Sequence, residues 1–167
     1  MTANALEESM AMFRANPLSA QTAPSVTATL VEGHGRLDGG PFAWEVDLPP
    51  VVGGRNQAPS PTLYLLGALA GCAVAFIHDT LAPQLGVQVT GVTATAHCRS
   101  DLRGLFGVDG ADPRLTGLSI EIAVDSSDSP ERVEELRRAW LQRCPIYLAL
   151  LNPVPVHVSW AEPDRGR

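Results

Sequence analysis

The centre of the fold is expected to be the longest apolar run in the chain, which is Leu63-Tyr-Leu-Leu-Gly-Ala-Leu-Ala-Gly-Cys-Ala-Val-Ala-Phe-Ile77. We predict a helix over residues 63 to 80, and apolar side chains fall on every face of it. A helix without a polar stripe is expected to be buried on all sides. Gly67 and Gly71 each cost roughly 1 kcal/mol relative to alanine inside a helix, so their presence indicates close packing near Cys72.

The residues before this helix predict a small β-hairpin. Residues 26 to 31 are rich in β-forming side chains, and residues 42 to 48 alternate between apolar and polar side chains. The glycine-rich stretch from 33 to 40 is expected to be the turn between the two strands. A proline-rich and glycine-rich stretch then leads into the helix.

The N-terminus is expected to lie outside this unit. Residues 3 to 15 predict a weak helix, and residues 18 to 24 read as a linker. We therefore divide the chain into an N-terminal helical extension, residues 1 to 20, and one domain, residues 21 to 167.

The residues after the helix alternate in a way that predicts further strands. Residues 87 to 98 and 115 to 124 are expected to be strands, joined by a loop over residues 101 to 113. The order of elements indicates an α+β fold with antiparallel sheets around a buried central helix.

Two helices and a last strand are expected to complete the domain. Ser129 and Pro130 are typical of the first positions of a helix, which would end at Cys144-Pro145. A short apolar helix is predicted from there to Leu151. The remaining alternation predicts a closing strand built on Val154, Val156, Val158 and Trp160.

Composition excludes several classes of function. The chain has 167 residues, of which 45% are hydrophobic and 18% charged, as in one globular domain. Its net charge of −6 argues against nucleic-acid binding. We find no pattern of a signal peptide, and the apolar run of 15 residues is shorter than a typical membrane span. We therefore expect a soluble, cytoplasmic protein.

The three cysteines are the candidate reactive groups, because an odd number does not form a disulfide framework. Cys72 lies among aliphatic residues, where an inert buried thiol is common and a reactive one needs a nearby cation. Cys144 precedes a predicted helix, where backbone N–H groups favour a thiolate, although a plain helix break fits equally well. Cys98, beside His97, lacks the ligand spacing of a zinc site and is expected to be structural. We expect neither a metal nor a cofactor.

Three motifs resemble those of the OsmC/Ohr family, which contains osmotically inducible and organic hydroperoxide resistance proteins. They are Pro59-Ser-Pro-Thr-Leu-Tyr-Leu-Leu-Gly-Ala-Leu-Ala-Gly-Cys72, Asp101-Leu-Arg-Gly-Leu-Phe-Gly107 and Cys144-Pro145, in that order. The similar region spans about residues 25 to 160. The resemblance implies an OsmC-like fold in which two chains intertwine as a homodimer.

The resemblance also implies a chemistry. In peroxidase members, the cysteine matching Cys72 attacks an organic hydroperoxide and becomes a sulfenic acid. The cysteine matching Cys144 condenses with it to a disulfide, which a dithiol of the lipoyl type reduces. An arginine from the N-terminal sheet holds the thiolate, and Arg36 matches it best by position, with Arg55 as a rival.

One position departs from the pattern of those peroxidases. They carry a glutamate about ten residues before the reactive cysteine, where this chain has Thr62 and Leu63, and no acid occurs between Asp47 and Asp79. A hydroxyl cannot form an ion pair with a guanidinium group. The alternative hypothesis is therefore a non-enzymatic, small-molecule-binding protein of the same fold.

Overall fold

The computed structural model describes residues 3–161, with side chains from residue 5 onward. Its first sheet has three antiparallel strands in the order β1-β2-β3, and the predicted two-stranded hairpin is wrong. The stretch expected to be one turn contains a whole strand, because Gly33 and Gly40, both with positive φ, each form a separate turn. The strands are β1 (Thr27–Val31), β2 (His34–Gly39) and β3 (Phe42–Val46).

An N-terminal helix precedes this sheet, as predicted. Helix α1 (Ala3–Ala15) is followed by a 3₁₀ turn over Pro17–Ala20, which occupies part of the predicted linker. Gln84 Nε2 lies 3.0 Å from Met10 Sδ and connects α1 with the rest of the chain. The division into an extension and a domain stays a prediction.

The central helical segment is longer than the sequence predicts. Helix α2 (Pro61–Phe76) begins with Ser60, whose hydroxyl accepts a hydrogen bond from Leu63 N, and with proline at its first position. It continues through a π-helical turn, Ile77–Leu81, into α3 (Ala82–Leu85). By length and composition alone this 25-residue segment qualifies as a membrane span. A core helix passes the same test, and in this segment Leu69, Ala73, Ile77 and Leu81 are buried inside the protein.

Helix α2 is not buried on all sides within the chain, so that expectation is wrong for one copy. Leu69 and Ala73 are buried on one face, whereas Leu63 and Val74 are exposed on the other. A Cβ added at Gly67 or Gly71 would meet no other part of the described chain within 4 Å. The apolar, small-residue face of α2 therefore lies open.

The second sheet and two further helices enclose the buried face of α2. Strands β4 (Val89–Arg99) and β5 (Thr116–Ser126) pair antiparallel, as predicted for this part of the chain. Helices α4 (Pro130–Arg143) and α5 (Pro145–Leu151) follow. Ser129 is the N-cap residue of α4, but its side chain makes no capping hydrogen bond. The core consists of Ala73, Ile77, Leu81, Ala82, Val87, Leu136, Trp140 and Cys144.

The predicted closing strand is wrong. Residues 153–161 form no regular secondary structure, and among residues 3–161 no strand pairs with them. Their alternating apolar side chains are exposed, with Val156 at 82% and Trp160 at 94%. An alternating pattern forms a strand only where a partner edge is available.

Candidate functional site

The structure brings Cys72 and Cys144 together, although 72 positions separate them in the sequence. Their Sγ atoms are 3.2 Å apart. A disulfide bond is about 2.0 Å long, so a small side-chain movement would suffice to join the two sulfurs. Both cysteines are free thiols in this structure.

Cys144 is held in place by its position between two helices. It ends α4 and is the N-cap residue of α5, because Pro145 cannot continue the hydrogen bonding of α4. Tyr147 N donates a hydrogen bond to Cys144 Sγ at 3.5 Å, which confirms the predicted capping position. The side chain is completely buried. Cys144 is therefore shielded from solvent.

Cys72 lies three quarters of the way along α2 and is half-buried. Burial raises the pKa of its thiol from the ordinary value of 9.0 to about 11, and the adjacent Cys144 adds to this increase. A backbone hydrogen bond from Ile146 acts in the opposite direction. Within one chain the thiol form is therefore favoured at neutral pH, and a thiolate would need a cation from elsewhere.

The two candidate arginines lie on the N-terminal sheet or next to it, away from the thiols. Arg36 is exposed on β2 and forms an ion pair with Asp38, with 3.2 Å between Nη2 and Oδ1. Arg55 donates a hydrogen bond to the carbonyl oxygen of Glu32 and covers Gly33. Among the described residues no hydrogen bond or ion pair connects either arginine with Cys72. Within residues 3–161 of one copy, neither candidate arginine is therefore bound to the thiol pair, and no cation contributes to the shift in the pKa of Cys72.

Asp47, the last acid before the apolar helix, is occupied by a structural role that the sequence did not reveal. Its carboxylate accepts hydrogen bonds from the backbone N–H groups of Leu48, Arg55 and Gln57. The bond from Gln57 contributes most to lowering the pKa of Asp47. The carboxylate therefore fixes the loop between β3 and α2, and it does not replace the missing glutamate at Thr62 and Leu63.

The remaining candidate groups lie apart from this site. Cys98 is on β4 and makes no disulfide. Within residues 3–161, no three His, Cys, Asp or Glu side chains lie close enough together to hold a metal ion.

Comparison with known proteins identifies the family of the chain. A family model described as OsmC-like protein matches residues 54–159, which is more than half of the sequence. The chain therefore belongs to the OsmC-like protein family. Comparison with curated protein sequences gives no significant match.

Solved structures share the fold at low sequence identity. An OsmC-like protein from Mycoplasma pneumoniae is 19% identical with a TM-score of 0.66, over 80% of this chain and 90% of that one. An organic hydroperoxide resistance protein from Legionella pneumophila is 16% identical, with a TM-score of 0.59, over 80% and 92%. One from Vibrio cholerae, with captopril bound in one of its active sites, is 20% identical with a TM-score of 0.56, over 80% and 89%. These likenesses define an α+β OsmC-like fold.

Proposed function

We propose that the chain reduces organic hydroperoxides through Cys72 and Cys144, as part of the defence against oxidative stress. The observation that carries this proposal is the separation of 3.2 Å between the two Sγ atoms, one half-buried and one fully buried. Membership of a family whose solved members include organic hydroperoxide resistance proteins supports the same class of reaction.

The proposed reaction has three steps. The Cys72 thiolate attacks the terminal oxygen of ROOH, and the O–O bond breaks to give an alcohol and a Cys72 sulfenic acid. The Cys144 sulfur then displaces this oxygen as water and forms the Cys72–Cys144 disulfide. A dithiol of the lipoyl type reduces the disulfide and is itself oxidised to a cyclic disulfide. The apolar residues around the pair suit an alkyl peroxide better than a polar one.

Activation of Cys72 requires a cation, and the described residues of one chain do not place one beside it. We assign this role to Arg36 in an intertwined homodimer, where the N-terminal sheet of one copy would approach the thiols of the other. Arg55 is less suited because its guanidinium already binds the Glu32 carbonyl. Asp38 pairs with Arg36 on the same strand and would orient it in place of the missing glutamate.

The homodimer is supported by two open apolar surfaces. The first is the face of α2 with Leu63, Gly67, Gly71 and Val74, and the second is the C-terminal segment 153–161. Patches of this kind mark association sites on proteins. Sedimentation should give a dimer at micromolar concentration, whereas a monomer under those conditions would contradict this arrangement.

Peroxide consumption tests the function. The purified protein should consume cumene or tert-butyl hydroperoxide when dihydrolipoamide is supplied. The Cys72→Ser variant should lose this turnover, and the matched Cys98→Ser variant should keep it. Unchanged turnover in Cys72→Ser would refute the proposal. We also propose a cytoplasmic location for the protein, which fractionation of cells would test.

The second candidate function is non-enzymatic binding of a small molecule by a degraded peroxidase site. It is supported by the raised pKa of Cys72 and by Thr62 and Leu63 at the position of the expected acid. The pH dependence of Cys72 alkylation separates the two candidates. A thiol pKa below the ordinary value of 9.0 would support the peroxidase, and one above it would support binding.

A further inference from the structure

The end of helix α4 is connected to the central helical segment by Arg143, the residue immediately before Cys144. Its guanidinium lies over the ring of Phe76, with 5.8 Å between the guanidinium carbon and the ring centroid. A guanidinium in this position is attracted by the negative face of an aromatic ring. Phe76 is on α2, four residues after Cys72, and positions four apart share one face of a helix. The contact therefore joins the neighbour of one thiol to the helical turn that follows the other.

A second contact of Arg143 leads to helix α3. Arg143 Nη2 donates a hydrogen bond to Gln84 Oε1 at 2.6 Å. Because a guanidinium only donates hydrogen bonds, the amide oxygen of Gln84 faces it and the amide nitrogen points elsewhere. That nitrogen lies 3.0 Å from Met10 Sδ on α1. The side-chain amide of Gln84 is therefore held from both of its ends, and it offers Arg143 an acceptor in a fixed orientation.

Arg143 acts through position rather than through charge. It does not contribute to the shift in the pKa of Cys72, which burial and the neighbouring Cys144 cause. Cys144 itself has an extended backbone conformation between α4 and α5, so the continuous helix is interrupted there. Residues at the ends of elements are where a chain bends most readily. The side-chain contacts of Arg143 therefore set the direction in which α4 ends and the place where Cys144 lies.

We propose that Arg143 is a positioning residue for the thiol pair. By binding Phe76 and Gln84, it holds the end of α4 against α2 and α3. This keeps Cys144 Sγ within reach of Cys72 Sγ. The inference rests on the proposed function, because the geometry that Arg143 preserves is that of the proposed disulfide. Groups that are held in place lose less conformational freedom when they react, so loss of Arg143 should make the disulfide less favourable.

The equilibrium between the two thiols and their disulfide tests this role without any peroxide. The full chain is incubated in mixtures of dihydrolipoamide and lipoamide, which exchange two electrons and two protons with the cysteine pair. Free thiols are then alkylated and located by mass spectrometry. Arg143→Gln should lower the equilibrium constant for disulfide formation by about tenfold, which raises the reduction potential of the pair by about 30 mV. An unchanged potential overturns the proposal.

Two further arginine variants on α4 are the controls. Arg143→Lys keeps a positive charge above the Phe76 ring and should restore the equilibrium constant to within about threefold of that of the unsubstituted protein. Arg137→Gln removes the same charge from a residue that pairs with Glu134 on its own helix, and it should leave the constant unchanged. Equal decreases for Arg137→Gln and Arg143→Gln would show an effect of net charge and refute positioning. Absent peroxide turnover together with the expected potentials would contradict the proposed function alone.

Discussion

The two sheets of this protein differ in what they bury. The second sheet, with α2, α4 and α5, encloses the apolar core that contains Cys144. The N-terminal sheet has no buried residue in any of its three strands. It contacts the rest of the chain through polar groups, such as Tyr64 Oη, which donates to the Glu45 carbonyl at 2.6 Å.

Thiol chemistry requires two sulfurs close together and a cation that stabilises the thiolate, and different regions of the molecule meet these two requirements. The buried region brings the sulfurs together but raises the pKa of Cys72, because an apolar environment disfavours the thiolate. The open sheet carries the charge, Arg36, that would offset this effect. We infer that the buried region holds the two sulfurs close together, and that the N-terminal sheet supplies the cation when two copies associate.

The largest effect is expected for Cys144→Ser. The variant should lose more than about 10³-fold of its steady-state peroxide turnover, yet it should still react with one equivalent of hydroperoxide, since only the resolving step is removed. A dimedone adduct on Cys72 would show the sulfenic acid. Full turnover in this variant would mean that Cys144 is not the resolving thiol.

Arg36→Gln tests whether the N-terminal sheet supplies the cation that activates Cys72. We expect about a hundredfold slower reaction of Cys72 with hydroperoxide, which is typical for the loss of one charge-stabilising donor. Stopped-flow kinetics would measure this rate. The control is Arg114→Gln, since Arg114 forms a similar exposed pair with Asp112, two residues away. Equal rates for the two variants would remove Arg36 from the site.

Truncation of a leucine in each region tests the difference in burial. Leu136→Ala in the core should lower the free energy of unfolding by about 2 to 5 kcal/mol, because it leaves a cavity. Leu30→Ala on the N-terminal sheet should change it by less than about 1 kcal/mol, because Leu30 is 78% exposed. Chemical denaturation measures both. A large loss for Leu30→Ala in the native protein would place that surface against a second copy.

The smallest effect concerns Asp47, which joins the two regions. Backbone hydrogen bonds lower the pKa of its carboxyl group below the ordinary 3.8, so the carboxylate stabilises the folded state above that pH. This stabilisation is lost as the pH falls through the lowered pKa. The unfolding temperature of Asp47→Asn should therefore be lower than that of the unsubstituted protein at pH 7, and the two temperatures should approach each other at low pH. A difference that does not change with pH would exclude this linkage.

The sequence predicts local structure better than it predicts contacts. The continuous apolar pattern predicts helix α2, and the proline after Cys144 predicts the boundary between α4 and α5. Both signals are local in the sequence, and the same residues carry the resemblance to the family. Strand β2 is not predicted from the sequence, because its glycines interrupt the alternation of apolar and polar side chains. The structural role of Asp47 depends on backbone groups that meet its carboxylate only in the fold, so spacing alone does not reveal it.

The predicted closing strand is wrong for a related reason, because its formation also depends on contacts that the sequence does not show. Val154, Val156, Val158 and Trp160 alternate correctly, but a strand also needs an edge to pair with, and none of the described strands pairs with this segment. Likewise, the sequence places apolar side chains on every face of α2, and only the structure shows that one face is exposed.

Disulfide formation is the direct test of whether one chain pairs Cys72 with Cys144. The protein is treated with one equivalent of tert-butyl hydroperoxide, the remaining thiols are blocked, and the peptides are mapped by mass spectrometry without reduction. We expect a Cys72–Cys144 disulfide within a single chain, with Cys98 blocked as a free thiol. Two unreacted thiols at 72 and 144, or a disulfide between other cysteines, would contradict it.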